Sequence, residues 1–262
     1  MLFRSAIAYS VETLVVAIAF LLYANRGGLS FRLRDATRAE CSRLLRESWP
    51  LIFAGLSVAI YMRIDQIMIG EMLGDSAVGI FSAAVRISEV WYFVPLSIMA
   101  SVAPALTTLH QQSPEAYERK FISVMRLLVL MAILVAIVLT FLAPQIISLL
   151  YGPGYEEAAS VLVIHGWAGV FVGLGLASGI WLSNAGLLKY SLYQTLAGAV
   201  VNIGANIVLI PKYGIVGAAI GTVLSQMVAA YLFDLFNPKT RSVFWMKTKS
   251  FMPFYRYKFK GL

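Results

Sequence analysis

The amino-acid sequence predicts an all-α protein, a polytopic transmembrane bundle of about seven helices. Three observations carry that expectation. Sixty per cent of the 262 residues are hydrophobic and only 13% are charged, with a mean hydropathy of +0.78. A soluble domain carries about a quarter of its residues charged, so lipid must cover much of this exterior. The apolar residues fall in runs of the length that crosses a bilayer, about 20 residues. The charges gather between those runs, where basic connections alternate with base-free ones, and the net charge of +8 fits loops on the cytoplasmic side of a membrane. No nucleic-acid-binding module frames the bases, so nucleic acid is not an expected partner.

The first span is expected from Ala6 to Ala24. It resembles a signal peptide in having Arg4 and a small residue at Ala24. Glu12 inside the run and the arginines that follow favour a retained helix. Residues 25–48 form a basic linker with Arg26, Arg32, Arg34, Arg38, Arg43 and Arg46 against Asp35, Glu40 and Glu47. Within it, residues 36–47 read as an amphipathic helix whose Leu44 and Leu45 dip into lipid. Cys41 is the one cysteine, so an intramolecular disulfide and multi-cysteine metal sites are excluded.

Residues 49–236 hold six further spans, expected over Trp49–Gly70, Ala77–Thr107, Phe121–Ala143, Ala158–Asn184, Tyr190–Ile210 and Ile215–Phe236. The third span of the chain is long, and Pro95 and Pro104 predict a kink in it. Residues 71–76 and 144–157 carry acids and no base, whereas residues 108–120 carry Arg119 and Lys120. The tail, residues 237–262, carries seven bases among aromatic residues and no acid. The bias of Lys and Arg toward cytoplasmic loops puts the tail inside and the N-terminus outside. Lys212, in the Pro211–Gly214 turn, is the exception. The tail is expected to lie on the membrane surface.

Charges inside spans cost roughly 2.5–3.5 kcal/mol each on insertion scales and need a reason. The stretch YMRIDQIMIGEMLGDSAVGIFSAAVRISEVWYFVP places Arg63, Asp65, Arg86 and Glu89 within apolar helices. Counted from the span edges at Gly70 and Ala77, the two arginines lie at similar depth, roughly 10 and 14 Å. A polar cavity with arginines gripping an anion is one reading, because the guanidinium fork donates in pairs to phosphate. Acids would then hold the arginines or exchange protons. Two buried ion pairs that only fix packing is the other. Asp65 lies about 200° round the helix from Arg63 and faces a different neighbour. His165, Asn184, Gln194, Asn202, Asn206 and Gln226 suit helix-to-helix hydrogen bonding. No enzyme constellation, metal cluster or cofactor motif is expected; the GxGxxS of VGLGLAS follows no strand and is a chance match.

The run SWPLIFAGLSVAIYMRIDQIMIGEMLGDSAVGIFSAAVRISEVWYFVPLSI resembles the start of the second half of bacterial Wzx-type O-antigen flippases. These form the polysaccharide branch of the multidrug/oligosaccharidyl-lipid/polysaccharide, MATE-like superfamily. LSNAGLLKYSLYQTLAGAVVNIGANIVLIPKYGIVGAAIGTVLSQ is similar to that family's eleventh and twelfth helices. The resemblance implies one lobe of a two-lobe transporter, with residues 1–24 matching the last helix of an absent first lobe. It implies an undecaprenyl-diphosphate-linked oligosaccharide of O-antigen or other lipopolysaccharide or surface-polysaccharide type, flipped across the bacterial inner membrane. Arg63 and Arg86 would then meet the diphosphate, with Asp65 and Glu89 beside them. Membrane lipids and a first-lobe polypeptide are the implied partners, and the lone chain is expected not to flip substrate. The competing readings are a lobe of a multidrug or cation antiporter, a membrane enzyme and a non-transporting membrane fragment. A basic cavity speaks against cationic cargo, and the absence of large loops speaks against an enzyme.

Overall fold

The computed structural model describes residues 63–252 throughout and, before them, residues 14–16, 18, 19, 22, 23, 37, 38, 40, 42 and 43. The chain divides into two compact units, Met1–Trp49 and Pro50–Leu262. In the first, the described part of the linker shows a capping box. Thr37 N–H donates to Glu40 Oε2 at 3.2 Å and Glu40 N–H donates to Thr37 Oγ1 at 3.2 Å, two otherwise orphaned donors satisfied reciprocally. Glu12, Cys41, most of the first span, residues 49–62 and residues 253–262 lie outside the described residues.

The second unit is all-α over its described residues. Residues 63–73 are helical (α1) and turn at Gly74, whose φ of 91° only glycine adopts readily. There follow α2 (Asp75–Val90), α3 (Phe93–Gln112), α4 (Pro114–Tyr151), α5 (Glu157–His165), α6 (Ala168–Asn184) and α7 (Lys189–Met227). A π-helical turn, Val228–Leu232, and a last turn, Phe233–Phe236, complete the span that α7 begins. Helix α8 (Arg241–Ser250) closes the unit. Four stretches are long and apolar enough to cross a membrane: Asp75–Gln112, Pro114–Tyr151, Glu157–Asn184 and Lys189–Phe236. The last doubles back at Gly214, where φ is 58°, so it supplies two passes. This is a multi-pass membrane protein.

Local chemistry explains the breaks. The chain bends at Trp91–Tyr92, before Pro95. Proline has no N–H and its ring clashes with the carbonyl four residues back, here that of Trp91. That carbonyl accepts from Val94 N–H instead, at 2.9 Å. Pro104 lies within α3 and does not end it. The interruption of the span is therefore the one before Pro95. The fifth predicted span is likewise two helices, broken at Gly166–Trp167. Gly169 permits the bends to meet, because a Cβ there would stand 2.5 Å from Trp91 Cζ2.

Helix α4 starts well: Ser113 Oγ accepts from Ala116 N–H at 3.3 Å, and Pro114 occupies the first turn. It runs 38 residues, about 57 Å at 1.5 Å per residue, far beyond the expected Phe121–Ala143. Its first turns carry Glu115, Glu118, Arg119 and Lys120, and its last part holds Pro144 and Gln145, so the uninterrupted apolar run is shorter than the helix. One stripe of α4, including Phe121, Met125, Leu128, Ala132, Ala136 and Ile147, is buried. Leu130, Leu134, Phe141 and Leu149 point outward, an apolar exterior suited to lipid.

Three contacts gather the tail end of the bundle: Thr107 Oγ1 to Asn184 Oδ1 at 3.0 Å, Gln194 Nε2 to Asp234 Oδ1 at 2.8 Å, and Lys249 Nζ to Glu118 Oε1 at 2.8 Å. Helix α8 is no loose appendage. Val243, Phe244, Lys247 and Ser250 are buried against the bundle.

Candidate transport site: a caged carboxylate beside two exposed arginines

The site begins with the Gly74 turn, which lays α1 and α2 antiparallel. Arg63 and Arg86 stand eleven and twelve residues from Gly74 on either side, so both lie roughly 17 Å along their helices from the turn. Both are exposed. Arg63 donates to Gln66 Oε1 at 3.0 Å, one helical turn on. Arg86 makes no ion pair among the described residues. Glu89, half-buried, lies within electrostatic reach of Arg63 rather than paired with Arg86. The two buried ion pairs offered as an alternative by the sequence are therefore not formed.

Asp65 points the other way, as the 200° offset predicts, and is buried. Its Oδ1 accepts from Asn202 Nδ2 at 2.9 Å and from Asn206 Nδ2 at 2.6 Å, while Oδ2 accepts from Thr222 Oγ1 at 2.7 Å. The two asparagines sit one turn apart on the first limb of α7 and Thr222 on the second. The limbs approach closely because Gly221 lacks a side chain: a Cβ there would be 2.3 Å from Asn206 Oδ1. The two asparagines were expected only as helix-packing residues, and Thr222 was not singled out at all. The signal for more was the Asn-x-x-x-Asn spacing, which aims two amides at one point.

Asp65 and Glu89 line one small cavity of about 20 Å³ together with Gln66, His165, Thr222 and Gln226, room for roughly one water. His165 closes its far side, with Nδ1 2.7 Å from Ser88 Oγ. The cavity lies at the two apposed bends, since Tyr92 and Ala168 also border it. Chemically, the arrangement offers a carboxylate held by neutral donors, free of a fixed cation, and two guanidiniums free to meet an anion. No group of three or more metal-ligating acids, histidines or cysteines occurs among the described residues.

A second polar cluster escaped the sequence reading. Lys247, fully buried, reaches Asp234 Oδ2 and Ala230 O, each at 2.5 Å, and Asp234 also accepts from Gln194. Its sequence signal, an acid in the last turn of a span thirteen residues before a lysine, is weak.

Comparison with known proteins agrees with this architecture. Residues 2–110 match the family model described as polysaccharide biosynthesis protein. The capsular polysaccharide biosynthesis protein CapF of Staphylococcus aureus is 24% identical over 188 residues, covering 71% of this chain and 48% of that protein. The probable low-salt glycan biosynthesis flippase Agl15 of Haloferax volcanii is 24% identical over 232 residues, covering 87% and 48%. The chain resembles the MATE-like polysaccharide flippases. A crystal structure of a MATE mutant superposes with a TM-score of 0.68 at 21% identity, over 89% of this chain and 53% of that one. The fold is thus that of one lobe of a MATE-like transporter. The chain spans about half the length of the curated relatives it matches.

Proposed function

We propose that this lobe serves in flipping an undecaprenyl-diphosphate-linked oligosaccharide, the repeat unit of O-antigen or another surface polysaccharide, across the bacterial inner membrane. The observation that carries the reading is the pair of exposed guanidiniums at matched depth in α1 and α2. An arginine at that depth does not face hydrocarbon; it faces water, an anion or another polypeptide. A planar donor fork suits a diphosphate, and the fit to cationic cargo is poor. Asp65 and Glu89, sharing one cavity, supply carboxylates able to exchange a proton or cation as the lobe moves. A first lobe, on this reading, completes the cavity wall.

The orientation follows from charge. The tail end exposes Arg119, Lys120, Lys189, Lys239 and Arg241, whereas the opposite end exposes Glu71, Asp75, Glu156 and Glu157 with only Lys212. That bias favours a cytoplasmic tail.

The test is binding of undecaprenyl diphosphate to the purified chain in nanodiscs, read by native mass spectrometry. Arg63→Ala and Arg86→Ala should each weaken binding about ten- to a hundredfold, the worth of one charge-assisted contact. Arg63→Lys should retain part of it. Unchanged affinity in both alanine variants would sink the assignment.

A further inference from the structure

We propose that the outward face of α8, with the adjoining start of α4, is a docking surface for anionic phospholipid headgroups. This goes beyond the transport reading and is independent of it.

The roll of α8 about its axis is fixed. Lys247 is fully buried, with its ammonium held by the Asp234 carboxylate and the Ala230 carbonyl. A buried charge cannot leave its partner without stranding both, so the helix cannot rotate to present another side. Ala230 belongs to the π-turn Val228–Leu232, where the altered hydrogen-bond register makes a carbonyl available to Lys247. Thr248 Oγ1 lies 2.9 Å from Tyr231 Oη, and Lys249 bonds Glu118. These contacts decide which residues remain outside: Arg241, Ser242, Trp245, Phe251 and Met252 are all exposed.

That face combines exposed apolar rings with bases. Phe236, where the span ends, is 78% exposed and Trp245 is 52% exposed. An exposed indole near a span terminus seats at the headgroup level, with its ring in the acyl boundary.

Charge names the lipid. At this end of the bundle the acids are mostly consumed internally: Asp234 by Lys247 and Glu118 by Lys249. Glu115 is exposed, against Arg119, Lys120, Lys189, Lys239 and Arg241. Arg241 is itself positioned by its Nε–H, which donates to Leu235 O at 3.2 Å. The surplus is positive, it adjoins a span terminus, and it flanks an interfacial tryptophan. An anionic headgroup matches all three, and a zwitterionic one matches only the last two.

The test uses the whole chain with Cys41→Ser and Ser242→Cys, labelled with bimane and placed in nanodiscs. Equal fractions of brominated phosphatidylglycerol or brominated phosphatidylcholine serve as quenchers. The label should be quenched about twofold or more strongly by the anionic lipid, as local enrichment by several bases requires. The difference should shrink in high salt. It should vanish in Lys239→Gln, Arg241→Gln, which gives up the Arg241 bond to Leu235 O but keeps the buried Lys247 anchor of α8. Equal quenching by the two lipids, or a preference that survives the glutamine changes and salt, overturns the proposal. Weak quenching by both lipids would show that the face meets water, and overturns it too.

Discussion

Removing Lys247 should do more damage than removing its whole ion pair. Lys247 and Asp234 both have fully buried side chains. In Lys247→Met the Asp234 carboxylate keeps only the Gln194 amide at 2.8 Å. Stranding one partner of a buried pair costs about 3–5 kcal/mol. Asp234→Leu strands the ammonium against the single Ala230 carbonyl and should cost a similar amount. The double variant, Asp234→Leu with Lys247→Met, removes both charges and fills the space with apolar atoms, an exchange that is often neutral or even stabilising. The singles should therefore sum to about 6–10 kcal/mol while the double stays within about 1–2 kcal/mol of the parent, a coupling beyond the 0.5–3 kcal/mol of ordinary neighbours. Unfolding in mixed micelles titrated with sodium dodecyl sulfate, followed by far-UV circular dichroism, measures all four corners of the cycle. Additive losses, or a single variant costing under about 1 kcal/mol, would show that the pair is neither dry nor coupled.

Three further outcomes follow from the packing and the loops. Gly221→Ala puts a Cβ 2.3 Å from Asn206 Oδ1; the amide must retreat by about 1 Å to reach ordinary contact, which breaks its 2.6 Å bond to Asp65. The same titration should register a loss of about 1.5–3 kcal/mol, one charge-assisted bond. Gly169→Ala meets the Trp91 ring at 2.5 Å and should cost about 1–3 kcal/mol as overpacking, with partial recovery when Trp91→Phe is added; no recovery would mean that the ring is not the obstacle. In the exposed loop before α5, its own backbone N–H and then that of Gly154 hold the Glu156 carboxyl below the usual carboxylate range. Because the folded value is the lower one, this support is complete above the ordinary glutamate range and lost as pH falls through the depressed value. Amide exchange at Gly154, corrected for intrinsic rate, should therefore accelerate on acidification, and a flat profile would refute the bond.

Much of the bundle was legible because lipid makes charge placement a topological signal. The apolar runs located the passes from Ala77 to Phe236. The scarcity of charges inside them drew attention to Arg63, Asp65, Arg86 and Glu89. Tertiary pairing was not legible. Asp65 takes its donors from Asn202, Asn206 and Thr222, more than a hundred residues away, and nothing local specifies which limb of a later hairpin will lie beside it. Arg63 is turned toward Gln66 by the helical repeat, so proximity to Asp65 in sequence misleads. The tail was legible in part: its bases and aromatics suggest a segment on the membrane surface, but nothing in them signals that Lys247 meets a buried carboxylate at the end of the preceding span. The position of the bend at Trp91 was readable in principle, since a proline acts on the carbonyl four residues before it.

The contact of Trp91 with Gly169 makes two separate bends into one joint. Each bend, taken alone, is a local fault in a long rod and could flex by itself. With the indole seated where no side chain fits, neither rod can straighten without withdrawing the ring, so motion in one is geared to the other. The small cavity bordered by Asp65, Glu89 and His165 lies at that pivot. Any change in the joint's angle therefore alters the volume available at the carboxylates, and anything that enters or leaves there acts on a lever whose arms are the two halves of the lobe.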